Sequence, residues 1–445
     1  MTQEAAKAAG TGSGGGSIGL AGAVAIGIGG MMGAGIYTLL GLAAKSSGPL
    51  LPLSFLVAGF VTIFSVYSYA KLATTFPSRG GPAEFLNRGF GPGLLSGGLN
   101  VFQYVAYIIA ISLYAASFAE YLGTFLPEGW PSWTPKVTGT AVVVLFVGLN
   151  VLGSRLVGRA ETFIVGIELV ILLAFVVIGL FHADPSRLGA GGGEGAFGVV
   201  AAAGLLYITY QGFGVVTTVA GSMERPRRDV PRAMFISLGL VALVYLLVST
   251  TVVTVLNYSD ILASSGHALA IAGQEVLGQV GFVAIGVSAL LATASAVNAT
   301  MFGSANLSYQ VAKDKELPRE FTRDTWHGSQ MSLFVTAGLV ILFVIFFPLE
   351  AVGQMGSMAF LLVYAAVSVA HLRVRSQTKA HAWPLVTAVV LNLALFAMLF
   401  TDTAKAGNVA TWATLLGVLV LSFVAEALLE RYYRREDTAR TPTAG

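Results

Sequence analysis

Twelve long apolar segments follow one another along this chain, and they constrain its fold more than any other feature. Segments 1 to 12 have the approximate limits 18–42, 50–74, 94–122, 136–153, 160–181, 198–222, 233–256, 281–306, 331–347, 351–372, 383–401 and 409–429. A helix needs about 17 to 25 apolar residues to cross a bilayer, and most segments reach that length. Only 11% of the 445 residues are charged, whereas soluble domains carry roughly 25%. The sequence predicts an all-α integral membrane protein with about twelve transmembrane helices.

The positions of the basic residues support this count, because lysine and arginine concentrate in cytoplasmic connections. All but four of the 25 basic residues fall at the termini or in alternate connections; the exceptions are Lys45, Lys136, Arg187 and Lys405. We therefore expect a multi-pass protein of the plasma (inner) membrane with both termini in the cytoplasm. The excess of basic residues follows from this topology, so we expect the lipid bilayer, and no nucleic acid, as a partner.

Segment 1 contains a glycine-rich stretch, AIGIGGMMGAGIY, at residues 25–37. Glycine costs about 1 kcal/mol relative to alanine inside a helix, and each unsatisfied backbone group in hydrocarbon costs several kcal/mol more. A spanning segment that unwinds is tolerated where it lines a cavity, and broken helices of this kind hold substrates in transporters. The alternative is that the glycines only allow neighbouring helices to pack closely.

Segment 6 contains a second interruption, YITYQGFGV, at residues 207–215. By the predicted topology, segment 1 starts inside and segment 6 starts outside, so segments 1–5 and 6–10 form inverted five-helix units. Glycine-interrupted segments at corresponding positions of two inverted halves indicate a transport site. The predicted organisation is a disordered cytoplasmic N-terminus (1–16), a first repeat (17–181), a second, inverted repeat (182–372), segments 11 and 12 (373–430) and a cytoplasmic tail (431–445).

Four stretches, taken together and in this order, resemble motifs of the amino acid–polyamine–organocation (APC) transporter superfamily. They are GIGGMMGAGIYTLLG at 27–41, YAKLATTFPSRGGPAEFLNRGFG at 69–91, YQGFGVVTTVAGSMERPRRDVPRA at 210–233 and ASAVNATMFGSANLSYQVAKDKELP at 294–318. The likeness spans roughly the first ten segments. The resemblance implies a five-plus-five inverted repeat with segments 1 and 6 broken, and a substrate class of amino acids or related amines.

A bound amino acid needs partners for two opposite charges. The backbone N–H groups predicted to face its carboxylate are those of Met32, Gly33, Ala34 and Gly35, at the positive end of a half-helix. The carbonyls predicted to accept from its ammonium group lie near Ile28, Gly29 and Tyr210. Backbone groups alone can therefore hold the substrate, without an arginine or a lysine.

The side-chain part of this site is inferred from the segment 6 motif. By motif position, Phe213 is expected to line the pocket for the substrate side chain, and Tyr207 or Ile208 to close over the substrate from outside. For each aromatic residue, ordinary core packing is the alternative. Segments 1 and 6 contain no acidic residue near their interruptions, which favours a neutral amino acid.

Glu168 lies about eight residues, or roughly 12 Å, inside segment 5, and an ionisable group at such depth is a functional hypothesis by default. The resemblance places it where some sodium-independent APC members carry a lysine. Its partners would then be a carbonyl at about Gly29 and a hydroxyl of Thr293 or Ser295. Apolar surroundings favour a protonated carboxyl, so we expect the proton as coupling ion, with sodium as the alternative. A neutral glutamate hydrogen-bonded across helices is the structural alternative.

Other function classes find less support in the sequence. The five histidines are scattered, cysteine is absent, and neither a zinc motif nor a nucleophile motif is present. We therefore expect no enzyme activity, catalytic residue, cofactor or metal, and the alternative class is a channel or scaffold subunit. The basic stretch Arg225 to Arg232 is interpreted as a topology signal, or as a lock on the inner gate through Glu224 or Asp229. The substrate, the choice between symport and exchange, and the oligomeric state stay open.

Overall fold

The computed structural model describes residues 19–76, 82–127, 129, 131–152, 157–189, 191–218, 223–323 and 331–440. In these ranges the regular elements are helices, and each of the twelve apolar segments contains at least one. Among the described residues, nine helical stretches are long and apolar enough to cross a membrane, and the first of them, Leu20–Thr75, covers both segments 1 and 2. Two shorter apolar helices, Phe163–Gly179 and Met331–Phe346, add to these. The protein is therefore an all-helical, multi-span membrane protein.

Two segments are interrupted near their middles. Segment 1 consists of an α-helix Leu20–Met31, a π-helical turn Gly35–Leu39 and an α-helix Leu40–Ser47. Segment 6 consists of an α-helix Gly195–Leu206, a 3₁₀-helix Tyr207–Gly214 and an α-helical turn Val215–Thr218. Both interruptions fall on the glycine-rich stretches that predicted them.

The remaining segments are continuous helices, with one exception. Segments 2 to 5 are Leu51–Thr75, Leu94–Gly123, Thr134–Leu152 and Val157–Gly179, and segments 7 to 12 are Pro226–Val255, Ala268–Lys313, Met331–Phe346, Leu349–Thr378, Ala382–Lys405 and Val409–Arg440. Short helices Pro82–Phe90 and Tyr258–Ala263 lie in the connections after segments 2 and 7. The exception is segment 8, where Gly278 has a φ of 61° and divides the helix.

Two helix starts differ from the prediction. Segment 7 begins at Pro226 and not near residue 233, so most of the basic stretch is helix and not loop. Proline fits the first helical turn, because its missing N–H has no partner there. Segment 8 begins at Ala268, since an apolar turn precedes the bend at Gly278. Charged side chains in these added turns can remain solvated beyond the apolar part of the helix.

The surface and the interior differ as a membrane protein requires. Large apolar side chains such as Phe181, Val280 and Phe346 are exposed on the outside of the helices, where lipid would contact them. Inside, segment 3 packs on segments 8, 10 and 12, and segment 7 packs on segments 1 and 2. The two interrupted segments lie against each other within this bundle.

Candidate functional site

The interruption of segment 1 is centred on Met32 and Gly33. The α-helix ends where the Met32 N–H donates to the Ile28 carbonyl at 2.8 Å, and Met32 has φ −83° and ψ 46°, outside the helical region. The chain then re-enters helix through the π-helical turn that begins at Gly35. Because Met32 N–H and Ile28 O already bond to each other, they are poorer candidates for substrate contact than their neighbours.

The interruption of segment 6 is a 3₁₀-helix of eight residues, Tyr207–Gly214. Runs longer than three or four residues are uncommon, because 3₁₀ hydrogen bonds have poorer geometry, and a run inside a longer helix often marks a hinge. All eight residues are buried. Segment 6 is therefore wound more tightly at the point where it meets segment 1.

The two interruptions touch backbone to backbone through glycines. A Cβ atom placed on Gly212 would lie 1.8 Å from the Gly30 carbonyl oxygen, and one on Gly35 would lie 2.5 Å from Thr209 Cβ. Only glycine permits these approaches. Gly33 differs, since a Cβ there would meet side chains instead, at 2.9 Å from Ala296 Cβ and 3.2 Å from Tyr114 Cε1. Close packing and an unwound backbone therefore coexist at the same stretch.

Hydroxyl groups from neighbouring segments donate to carbonyls at both interruptions. Tyr245 of segment 7 donates to Met31 O at 2.7 Å and reaches Thr209 O at 3.4 Å, so a single hydroxyl joins the two interruptions. Tyr364 of segment 10 donates to Gln211 O at 3.0 Å. A buried carbonyl without a donor is costly in hydrocarbon, so these tyrosines stabilise the unwound conformation.

The substrate-contact residues predicted from the sequence are buried, and the structure brings most of them to this crossing. The buried set comprises Ile28, Met32, Gly33, Ala34, Gly35, Tyr207, Ile208, Tyr210 and Phe213. Two tyrosine hydroxyls point elsewhere: Tyr207 bonds to Ser65 Oγ at 2.8 Å, and Tyr210 donates to Phe55 O at 3.0 Å, both in segment 2. Ile208 lies against segment 10, where a Cβ on Gly356 would come within 2.6 Å of Ile208 Cδ1.

Phe213 belongs to an aromatic cluster. Its ring centroid lies 5.3 Å from that of Tyr69 and 5.2 Å from that of Tyr364, and Tyr69 also contacts Phe85 of the connection after segment 2 at 5.7 Å. The rings of Phe213, Tyr69 and Tyr364 therefore pack together between the interruptions and that connection. At the opposite side, Tyr121 donates to Tyr37 O at 2.6 Å and its ring meets that of Tyr37 at 6.2 Å. Aromatic contacts therefore lie on both sides of the crossing.

Glu168 is buried, with 2% of its surface exposed, and its helix packs on segments 1, 7 and 8. Its carboxyl group lies close enough to Tyr37 and Tyr245 to interact electrostatically with both hydroxyls. The Tyr245 hydroxyl is the one that holds the Met31 carbonyl at 2.7 Å. Glu168 therefore lies near a hydroxyl that holds the interruption of segment 1.

The other residues predicted for coupling, and the basic stretch before segment 7, differ in burial. Thr293 is buried, and its hydroxyl donates to Ala289 O within its own helix at 2.7 Å. Gly29 and Ser295 are half-buried. The basic residues Arg225, Arg227, Arg228 and Arg232 are exposed at the start of segment 7.

Three tyrosines that contact the crossing have no sequence feature that sets them apart. Tyr245 and Tyr364 have no distinguishing motif, and Tyr114, which accepts from Gln211 Nε2 at 3.1 Å, is one of several tyrosines in segment 3. Aromatic residues are frequent in apolar helices, so only the tertiary register shows which of them face the interruptions.

Two interrupted helices that meet inside an all-helical, multi-span bundle define a membrane transporter of the discontinuous-helix type. Comparison with known proteins gives the particular family. The family model of amino acid permeases (AA_permease_2, "Amino acid permease") matches residues 18–424, and the chain belongs to this family. It is a membrane transporter with a small-molecule substrate and not an enzyme.

Individual relatives match over nearly the full length. The chain is 32% identical to the uncharacterized protein MJ0609 of Methanocaldococcus jannaschii, with 92% of this chain and 95% of that protein covered. It is 28% identical to the inner membrane transport protein YbaT of Escherichia coli, covering 93% and 96%. It is also similar to the branched-chain amino acid permease BcaP of Bacillus subtilis, at 23% identity over 92% and 91%.

Proposed function

We propose that this chain is a secondary active carrier that moves neutral amino acids by alternating access and couples their movement to protons. The observation that carries the proposal is the contact between the interruptions of segments 1 and 6, where Gly30 and Gly212 meet backbone to backbone. Such a crossing presents unpaired backbone N–H and carbonyl groups to one small volume, which suits a zwitterion.

The carboxylate is assigned to the backbone N–H groups that follow Met32. Since the Met32 N–H is bonded to Ile28 O, the remaining predicted donors are those of Gly33, Ala34 and Gly35. They precede the helix Leu40–Ser47, whose positive end favours an anion. The ammonium is assigned to carbonyls near Gly29 and Tyr210. Met31 O and Gln211 O are less suited, because tyrosine hydroxyls already donate to them.

The preference for neutral substrates rests on two observations. The interruptions carry no acidic side chain, so nothing there compensates a second positive charge. BcaP, one of the relatives, is named as a branched-chain amino acid permease, whereas a second, more partial relative from Arabidopsis thaliana is named as a cationic amino acid transporter. A cationic substrate is therefore the rival within the family.

Alternating access would open one enclosed side at a time. Under the proposed topology, with both termini cytoplasmic, the cluster of Phe213, Tyr69 and Tyr364 is the inner closure and the Tyr37–Tyr121 pair is the outer one. Opening to the cytoplasm then requires Phe213 to lose its ring contacts with Tyr69 and Tyr364. Each aromatic pair contributes about 0.5 to 1.5 kcal/mol beyond its buried area, which is small enough for a bound substrate to offset.

Proton coupling is assigned to Glu168. Its neighbour Tyr245 holds the Met31 carbonyl at one end of the interruption. A charged Glu168 would accept a hydrogen bond and draw the Tyr245 hydroxyl away from that carbonyl, whereas a protonated Glu168 would leave it in place. The proton would in this way control the shape of the substrate site. Sodium held by Glu168 with Thr293 or Ser295, or obligate exchange, are the alternatives.

The test is uptake by purified protein in proteoliposomes under imposed gradients. The proposal expects accumulation that depends on an inward proton gradient and persists without sodium. Accumulation that requires sodium would show that sodium, and not the proton, is the coupling ion. Uptake that requires only internal amino acid would indicate an exchanger. Flux that does not saturate with substrate would indicate a channel, and no flux at all would favour a scaffold subunit.

A further inference from the structure

Two buried carboxyl groups lie together at the end of the molecule where segment 3 begins, remote from the crossing of segments 1 and 6. Glu316 is in the connection after segment 8 and is 5% exposed, and Glu426 is in segment 12 and is 4% exposed. Buried carboxylates are rare unless they are paired or bind a ligand. Nothing in the proposed transport site uses these two groups.

Both carboxyl groups contact one face of segment 3. The Asn100 amide donates from Nδ2 to Glu316 Oε2 at 2.7 Å and to Asn87 Oδ1 at 3.2 Å. One turn earlier, a Cβ placed on Gly97 would lie 2.4 Å from Glu426 Oε1, so this carboxyl group packs directly against the glycine. Residues three apart on a helix share a face, so Glu426 and the Asn100 amide are neighbours.

Two acceptor atoms in this cluster lack a donor within the described part of the chain. They are Glu426 Oε2 and Asn100 Oδ1, and Asn100 is completely buried. Rotating the Asn100 amide by 180° would not help, because its oxygen would then face the acceptor on Glu316. Both acceptors need a nearby hydrogen-bond donor, and a carboxyl group supplies one only when it is protonated.

The charged groups that most affect the two carboxyl groups are themselves acidic. Further acids, Asp314 and Glu430, lie near Glu316 and Glu426 respectively. The bases on the adjoining connection, Lys315 and Arg319, lie over the Tyr433 ring at 5.9 and 4.9 Å.

On the short helix that carries Asn87, Arg88 pairs with Glu84 at 2.6 Å.

Burial, and then the charge of Asp314, raise the pKa of Glu316 to about 7, against the lowering effect of the Asn100 hydrogen bond.

We propose that Glu316 and Glu426 form a second protonation site, in which one proton is shared among the carboxyl pair and Asn100 Oδ1 and fastens segment 12 and the connection after segment 8 to segment 3. With the proton bound, the cluster carries a single negative charge and the two orphan acceptors are satisfied. Without it, two like charges lie near each other on the same face of segment 3, and segment 12 loosens from segment 3. This site is distinct from Glu168.

The sign of the pH effect follows from linkage. The pKa of Glu316 is about 7 in the folded protein and 4.5 in the unfolded chain, so the folded state binds more protons between these values. The folding stability that this proton contributes is therefore fully present below pH 4.5 and is lost as the pH rises through about 7. Segment 12 should show this loss first.

The test uses purified full-length protein in lipid nanodiscs and two measurements over a pH titration. Infrared difference spectroscopy follows the carbonyl stretch of protonated carboxyl groups, and hydrogen exchange follows the amides of segment 12. We expect the wild-type protein to lose a protonated-carboxyl signal near pH 7 while exchange in segment 12 rises. The variants Glu316→Gln and Glu426→Gln should both lose this transition. Glu320→Gln, at an exposed position of the same connection, and Glu168→Gln should keep it.

Several outcomes would overturn the proposal. A wild-type protein without a carboxyl titrating near neutral pH would refute it, and this result does not depend on whether any variant folds. If Glu316→Gln and Glu426→Gln both keep the transition near pH 7, the proton binds to a different group. If sodium, potassium or magnesium chloride protects segment 12 at constant pH and the infrared signal is absent, a metal cation and not a proton fills the site.

Discussion

Tyr245→Phe removes one oxygen atom from the structure, and that oxygen joins the two interrupted segments. The hydroxyl donates to Met31 O at 2.7 Å and reaches Thr209 O at 3.4 Å. Its loss leaves the buried Met31 carbonyl without this donor, which costs about 1 to 3 kcal/mol. If this cost destabilises the conformation that binds the substrate, the affinity for the amino acid weakens by about 5- to 150-fold, because each 1.4 kcal/mol corresponds to about a tenfold change in Kd.

The matched control is Tyr104→Phe in segment 3. Tyr104 is equally buried, and its hydroxyl bonds to Thr336 Oγ1 at 2.8 Å, away from both interruptions. Binding of a radiolabelled neutral amino acid to purified protein measures affinity, and scanning fluorimetry measures stability. Both variants should lose some stability, but only Tyr245→Phe should lose affinity. Equal affinity for Tyr245→Phe and the wild type would refute the role given to the interruption's hydrogen bonds.

Three further substitutions test other parts of the site. Gly212→Ala should abolish binding, because its Cβ would lie 1.8 Å from Gly30 O, whereas Gly214→Ala, whose Cβ meets no atom within 4 Å, should bind normally in the same assay. Phe213→Ala should shift the competition profile of uptake toward bulkier amino acids, and an unchanged profile would remove Phe213 from the side-chain pocket. Glu168→Gln keeps the shape of the side chain but cannot exchange a proton, so uptake should lose its pH dependence; retention of the wild-type pH profile would exclude coupling through Glu168.

The apolar pattern predicts the helices well, because hydrocarbon leaves helix as the only conformation that satisfies an isolated spanning segment. The glycine spacing predicts both interruptions for the same reason, since a glycine-rich stretch is the weakest part of such a helix. The helix start at Pro226 was placed too late because polar residues fill its first turns. The start at Ala268 was placed too late because Gln274, Glu275 and Gly278 separate its apolar first turns from the long apolar run.

The environment of the site was less predictable. Tyr245 and Tyr364 donate to carbonyls at the interruptions across segment boundaries, and no local pattern encodes contacts between residues 214 and 153 positions apart. The cluster of Asn100, Glu316 and Glu426 was missed because its members come from three distant parts of the chain. Periodicity indicates which face of a helix is buried, but it does not indicate which polar groups meet there.

The proposed topology can be tested by cysteine labelling without first removing native cysteines, because the sequence contains none. Single cysteines introduced near either terminus should react with an impermeant thiol reagent only in inverted vesicles. Labelling of either terminus in right-side-out vesicles would contradict a cytoplasmic location for both ends.

Counterflow in proteoliposomes tests the central claim most directly, because only a carrier with a saturable site drives a labelled substrate against its gradient by exchange with an unlabelled pool. With vesicles preloaded with a neutral amino acid, the account predicts transient accumulation of the labelled substrate. Amino acids that keep both the α-amino group and the α-carboxylate should inhibit it, and the corresponding decarboxylated amines should not. Accumulation that the amine inhibits equally well would contradict a backbone site for the carboxylate, and flux without counterflow for any amino acid would contradict the carrier itself.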